Sequence, residues 1–162
     1  MYNLNGQVAL VTGTGGRNGI GRAIATRLAR EGADVILNDI AMRPYGEEST
    51  PWAGMSAVAK EIEALGQQAT PIVADVSDAE QVENMVTQAL EQFDYIDILV
   101  NNAGAAAGSD RVPLVDLEEE AWDMVHRVNV KGTFLCCRAV ARHMIDRNQG
   151  GKIINISSLA GK

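Results

Sequence analysis

The chain has 162 residues, 46% of them hydrophobic and 22% charged, which is enough for one globular domain with a core of its own. Fourteen Lys and Arg against 21 Asp and Glu leave a net charge of −7 and no basic stripe, so no nucleic-acid partner is expected. No apolar run approaches ~18 residues and no N-terminal signal pattern is visible, so the expectation is a cytoplasmic protein without a membrane partner. Cys136 and Cys137, the only cysteines, lie in an apolar helical stretch and read as core thiols rather than as a disulfide or a metal site.

In chain order, Val8 to Val11 reads as a buried strand that breaks at Thr12-Gly13 into a glycine-rich loop holding Gly13, Gly15, Gly16, Gly19 and Gly21. Ile20, Ala23, Ile24 and Leu28 then recur at helical spacing. Strand, glycine turn and helix form the geometry in which free N–H groups at a helix N-terminus meet a phosphate. The bland alternative is a glycine-rich turn that binds nothing. Gly32 supplies a left-handed stop to this helix. Asp34 to Asp39 is a second strand, and its last residue falls 18 positions after Gly21, close to the ~20 expected of a ribose-binding carboxylate. The alternative for Asp39 is a solvated strand end.

Residues 41 to 56 lack a period and contain two prolines and two glycines, so they read as a loop in which Tyr45 or Trp52 could cover an adenosine, or as a plain surface excursion. Ala57 to Leu65 reads as a helix stopped by Gly66, and Thr70 to Asp75 as a third strand. Ser77-Asp-Ala-Glu80 has the form of a capping box opening a helix that runs to about Phe93. Ile96 to Asn101 is the fourth strand, followed by Asn102-Ala103-Gly104 and a polar loop through Asp110. Leu117 to about Arg147 reads as one long helix, with Trp122, Val125, Asn129, Gly132 and Cys136 near one face and both histidines, His126 and His143, as surface or packing residues. Lys152 to Ser157 is a fifth strand, followed by Ser158.

Five apolar strands alternating with helices predict an α/β fold, a doubly wound parallel sheet in three layers, as one domain over 1–162. Right-handed crossovers bring Gly13, Asp39, Asp75, Asn102 and Ser158 to one edge of that sheet.

Thr12-Gly13, Gly19-Ile20-Gly21, Asp75-Val76, Asn101-Asn102-Ala103-Gly104, Val128-Asn129 and Asn155-Ile-Ser-Ser158-Leu-Ala-Gly161 together resemble the classical short-chain dehydrogenase/reductase family over essentially the whole chain. The Asn-Asn-Ala-Gly stretch combined with the Ser-x-x-Gly strand end is far more specific than the glycine loop. The resemblance implies a nicotinamide cofactor cradled by Gly13, Arg17, Asn18, Gly19, Ile20 and Gly21. Asp75 and Val76 would then meet the adenine edge, and Asn102, Ala103 and Gly104 would lie beside the riboses. It further implies catalytic roles for Ser158, which would hydrogen-bond the substrate oxygen, and for Asn129, which would hold a water of a proton relay; the alternative for Asn129 is a structural cap on a neighbouring strand.

Two departures from the family pattern stand out. Five residues separate Gly13 from Gly19, a longer spacing than in classical members. The Tyr-x-x-x-Lys pair that serves the family as general acid and base is not found, since none of Tyr2, Tyr45 and Tyr95 has a Lys at that offset. The sequence therefore reads as the front part of a longer enzyme. On that reading, an apolar face near Val125, Phe134 and Cys136 stays exposed, which is either a liability or an interface, and a homo-oligomer is expected. Asp39 favours NAD over NADP, because a 2′-phosphate beside it would cost up to ~4 kcal/mol per like charge pair at ~4 Å and an effective dielectric near ~20. Arg17, helped by Arg43, argues the other way. The expected reaction is hydride transfer between NAD and a small secondary alcohol or ketone. The alternative is a dinucleotide-binding module, or a partner subunit, without catalysis of its own.

Overall fold

Alternation of apolar side chains along the strands lets both faces of one sheet be covered. β1 (Val8–Thr12), β2 (Asp34–Asp39), β3 (Ala69–Val73), β4 (Ile98–Asn101) and β5 (Lys152–Asn155) pair in parallel in the order β3-β2-β1-β4-β5. The computed structural model describes residues 3–44, 51–105, 108 and 110–158. The helices are α1 (Ile20–Arg30), α2 (Met55–Glu63), α3 (Ala79–Phe93), α4 (Glu119–His126) and α5 (Thr133–Arg147). Val8 and Leu10 of β1 enter a core with Met85 and Val86 of α3 and Leu135 and Val140 of α5. Their neighbours Ala9 and Val11 enter a second core with Ala25 of α1 and Val58 and Ile62 of α2. This is the doubly wound, three-layer α/β arrangement that the sequence predicts.

β1 is central, flanked by β2 on one side and β4 on the other. The chain winds outward through β2 and β3, then crosses back to start again at β4. The loops after β1 and β4 therefore leave the sheet in opposite directions and open a crevice at their carboxyl ends.

Helix ends follow local chemistry. At the end of α1, Gly32 takes φ +104° and the N–H of Ala33 donates to the Leu28 carbonyl, closing a Schellman turn. Gly66 does the same after α2 with φ +88°. Besides β3, which ends at Val73 rather than Asp75, and β4, which starts at Ile98 rather than Ile96, four expectations need correction. α2 begins at Met55, inside the stretch expected to be loop. The cap of α3 is Asp78, not Ser77: its carboxylate accepts from the N–H groups of Glu80 and Gln81 at 2.9 and 3.1 Å. β5 ends at Asn155 rather than at Ser157.

The fourth correction concerns the long helix. After a 3₁₀ turn at Leu114–Asp116, α4 starts at Glu119 and passes through a π-helical segment, Arg127–Gly132, into α5. The wider π turn rotates the face, so the residues expected to share it separate. Trp122 is exposed and stacks on His126, whereas Cys136 is buried in the core. Burial, reinforced by Cys137, pushes the Cys136 thiol up to about 12, which keeps it protonated and inert. Phe134 is exposed as expected, under the guanidinium of Arg138. Among the described residues no group of His, Cys, Asp or Glu could hold a metal, and no helix is long and apolar enough to cross a membrane.

Candidate functional site

Thr12, the last residue of β1, is buried, and its hydroxyl ties the crevice together. It donates to the Val100 carbonyl at 3.4 Å and accepts from the N–H groups of Asn102 and Ala103, both at 3.0 Å. The Asn102 amide answers from β4, donating to the carbonyls of Thr12 and Gly13 at 2.9 and 3.0 Å. Gly13 turns the chain with φ +71°, and a Cβ there would lie 2.9 Å from the Ala103 Cα. Gly21 brings α1 against that turn so closely that a Cβ would meet the Gly13 carbonyl oxygen at 2.2 Å. No side chain caps the N-terminus of α1 at Gly19, and no acid stands in its first turn. Gly19 and Ile20, at that N-terminus, line the cleft described below, so the partial positive charge of the leading N–H groups lies beside it.

The end of β2 forms the adjoining wall. Asp39 is only 8% exposed, and its two carboxylate oxygens accept from the N–H groups of Gly15 and Ile40, each at 2.8 Å. Burial raises its pKa, and those two hydrogen bonds oppose the rise. Asn38 is fully buried and donates to the carbonyls of Ile72 and Ala74 at 3.2 and 3.1 Å, fastening the end of β3 to β2. Asp75 accepts from the N–H of Ser77 at 2.8 Å, a turn that sets Val76 beside it against the core. Beyond β4, the Asn129 side-chain oxygen accepts from the N–H of Ala105 at 2.8 Å, while its carbonyl accepts from the Thr133 hydroxyl. The π-helical segment thus puts Asn129 next to the Asn102–Gly104 turn.

A cleft of about 460 Å³ collects most of the expected cofactor residues. Gly13, Gly19 and Ile20 line it from the first turn, Asp39 and Asp75-Val76 from β2 and β3, and Asn102, Ala103 and Gly104 from β4. Asn38, Pro44, Met124 and Val128 also line it and were not anticipated. Met124 and Val128 are four apart on the long helical stretch, a signal that was available. Nothing in the sequence marked Asn38. Arg17 and Asn18 line a neighbouring groove between α1 and α2 together with Gly19, not the cleft. Gly21 lies beneath the loop rather than on the cleft surface. Ser158 is exposed beyond β5 and is not among the residues lining the cleft. Tyr45 and Gly161 lie outside the described residues.

The donor set fits a dinucleotide: an uncapped helix N-terminus for a diphosphate, a carboxylate for sugar hydroxyls, and an apolar wall from Val76 and Val128 for a base. Comparison with known proteins points the same way. The family model for short chain dehydrogenase matches residues 7–162. The 3-oxoacyl-[acyl-carrier-protein] reductase of Synechocystis sp. strain PCC 6803 is 39% identical over 161 residues, covering 99% of this chain and 59% of that protein. Among solved structures, an NAD⁺-bound xylitol dehydrogenase matches at TM-score 0.85 and 35% identity, over 98% of this chain and 55% of its own. A metagenomic short-chain oxidoreductase in complex with NADP matches at TM-score 0.82 and 39% identity, over 98% of this chain and 65% of its own. The chain thus spans little more than half the length of the curated relatives it matches.

Proposed function

The chain belongs to the short chain dehydrogenase family, and from that premise we propose that it binds NAD and takes part in hydride exchange with a small secondary alcohol or ketone. The observation that carries this reading is the uncapped α1 N-terminus facing the same cleft as the Asp39 carboxylate. When bound, the nicotinamide supplies or accepts the hydride.

The chain's own residues do the rest. The N–H groups at the start of α1 hold the diphosphate. Asp39 keeps free lone pairs after accepting from Gly15 and Ile40, and these receive ribose hydroxyls. A 2′-phosphate at the same place meets the carboxylate's charge, which supports NAD over NADP. Asp75 and Val76 meet the adenine edge, and Asn102, Ala103 and Gly104 border the riboses. Ser158 orients the substrate oxygen, and Asn129 holds a water for proton transfer. No Tyr-x-x-x-Lys pair stands among the 162 residues, so none of them is assigned the proton donor's role. The exposed side chains of Trp122, Val130 and Phe134 support a homo-oligomer, and the two free cysteines a cytoplasmic setting. The position of Ser158 outside the cleft lining favours a second reading, in which this chain binds the dinucleotide without turnover of its own.

Calorimetric titration with NAD and NADP tests the proposal. NAD should bind about tenfold more tightly or better, and Asp39→Asn should narrow that ratio. Binding of neither dinucleotide, or tighter binding of NADP, overturns it.

A further inference from the structure

Besides the two bonds by which Thr14 donates to the Asn38 carbonyl, at 3.0 and 3.1 Å, hydrogen bonds hold the lengthened glycine loop at three further points. The Asp39 carboxylate accepts from the Gly15 N–H at 2.8 Å, and the Trp52 indole N–H donates to the Gly15 carbonyl at 2.8 Å. Both backbone groups of one loop residue are thereby fixed by side chains from the β2 end and from the segment before α2. Pro44 closes over the same residue, so that a Cβ on Gly15 would lie 2.5 Å from its ring. The third point is Arg17, whose carbonyl accepts from the Arg22 guanidinium. Arg22 is itself fixed twice. It forms a bidentate pair with Glu61 of α2 at 2.8 and 2.9 Å, and its guanidinium lies 4.9 Å from the centre of the Trp52 ring.

The consequence concerns the Arg17 side chain. Arg17 lines, with Arg22, Arg27 and Arg30, the groove of about 680 Å³ between α1 and α2, and it is not among the residues lining the dinucleotide cleft. Arg17 is the one cation of the glycine loop, two residues before Gly19. Turned the other way, it would bring positive charge to the sugar end of the cleft and offset the repulsion between Asp39 and a 2′-phosphate.

We propose that Trp52, Arg22 and Glu61 are positioning residues that hold the long glycine loop with Arg17 outside the cleft, and so set its preference for NAD over NADP. The inference rests on the dinucleotide-binding reading above. A preorganised loop binds its ligand without first being ordered, so the same clamp strengthens NAD binding.

The test is calorimetric titration of wild type, Trp52→Phe and Trp52→Phe/Arg17→Ala with NAD and with NADP, with thermal melts alongside. Trp52→Phe removes the indole donor and keeps an aromatic ring in place. One lost hydrogen bond should weaken NAD binding about three- to tenfold. NADP binding should hold or improve, so the affinity ratio falls. Adding Arg17→Ala should return the ratio towards its wild-type value, which general loosening of the loop would not do. Arg22→Gln, on the partly exposed face of α1, tests the same clamp independently should Trp52→Phe fold poorly, and it should lower the ratio too. An unchanged ratio, or equal weakening of both dinucleotides, in a variant that melts cooperatively overturns the inference and leaves the dinucleotide reading intact. Failure of the wild type to bind NAD overturns the dinucleotide reading itself.

Discussion

One hydroxyl, that of Thr12, serves three backbone groups at the crevice, and Val is its near isostere without the oxygen. Thr12→Val leaves the half-buried N–H groups of Asn102 and Ala103 without their acceptor. It should cost about 1–3 kcal/mol, read as a lower urea midpoint at unchanged slope. At this scale the sequence was legible where function dictates spacing and silent where packing dictates contacts. Asp39 is found by its distance from the glycine loop, yet its bonds to Gly15 and Ile40 belong to the folded loop and have no sequence signature. Asn38 reads as an ordinary polar strand end, because its partners Ile72 and Ala74 sit on another strand. Trp52 stands in a stretch without period, where a covering role and a plain surface position read alike, and neither anticipates a bond to Gly15.

The elements were legible to the extent that their side chains repeat. β2 runs from Asp34 to Asp39 as its apolar run requires, whereas the start of α3 had two competing signatures one residue apart. Ser77 with Glu80 and Asp78 with Gln81 both fit a capping box. Asp78 caps the helix, while Gln81 turns its side-chain oxygen to the N–H of Asp75 at 3.0 Å instead of returning to the cap. The π-helical segment around Asn129 was hidden for a different reason: one wide turn shifts the pattern without interrupting it. At the far end of α5, His143 accepts from the N–H of Ile96 at 3.3 Å, just before β4. Burial first, then the charge of Arg147, push its pKa down, against the pull of Asp146 and Asp97. The folded state therefore binds fewer protons at this imidazole than the unfolded chain. Its contribution to stability is intact above the unfolded value of ~6.5 and is lost as pH falls through and below it. The urea midpoint should drop between pH 7.5 and 5.5, and His143→Gln, whose amide oxygen can still accept, should flatten that part of the drop.

Across the whole molecule, the two margins of the sheet are unequal. β3 is covered by α2 and α3, whereas every residue of β5 is exposed, with Ile153 and Ile154 at 40% and 43%. Ile154 is in register with Val100, so it belongs to the face that α1 and α2 cover further in and leave open at β5. The central place of β1 has a consequence in time. Its second neighbour, β4, arrives 89 residues later, since Val8 donates its N–H to Asp97 and Ala9 lies in register with Ile98. At about 5–20 residues per second, a ribosome takes roughly 4–18 s to make that stretch. Throughout that interval the strand that later anchors the glycine loop is itself an open edge, so the newborn chain depends on whatever shelters that strand until β4 emerges.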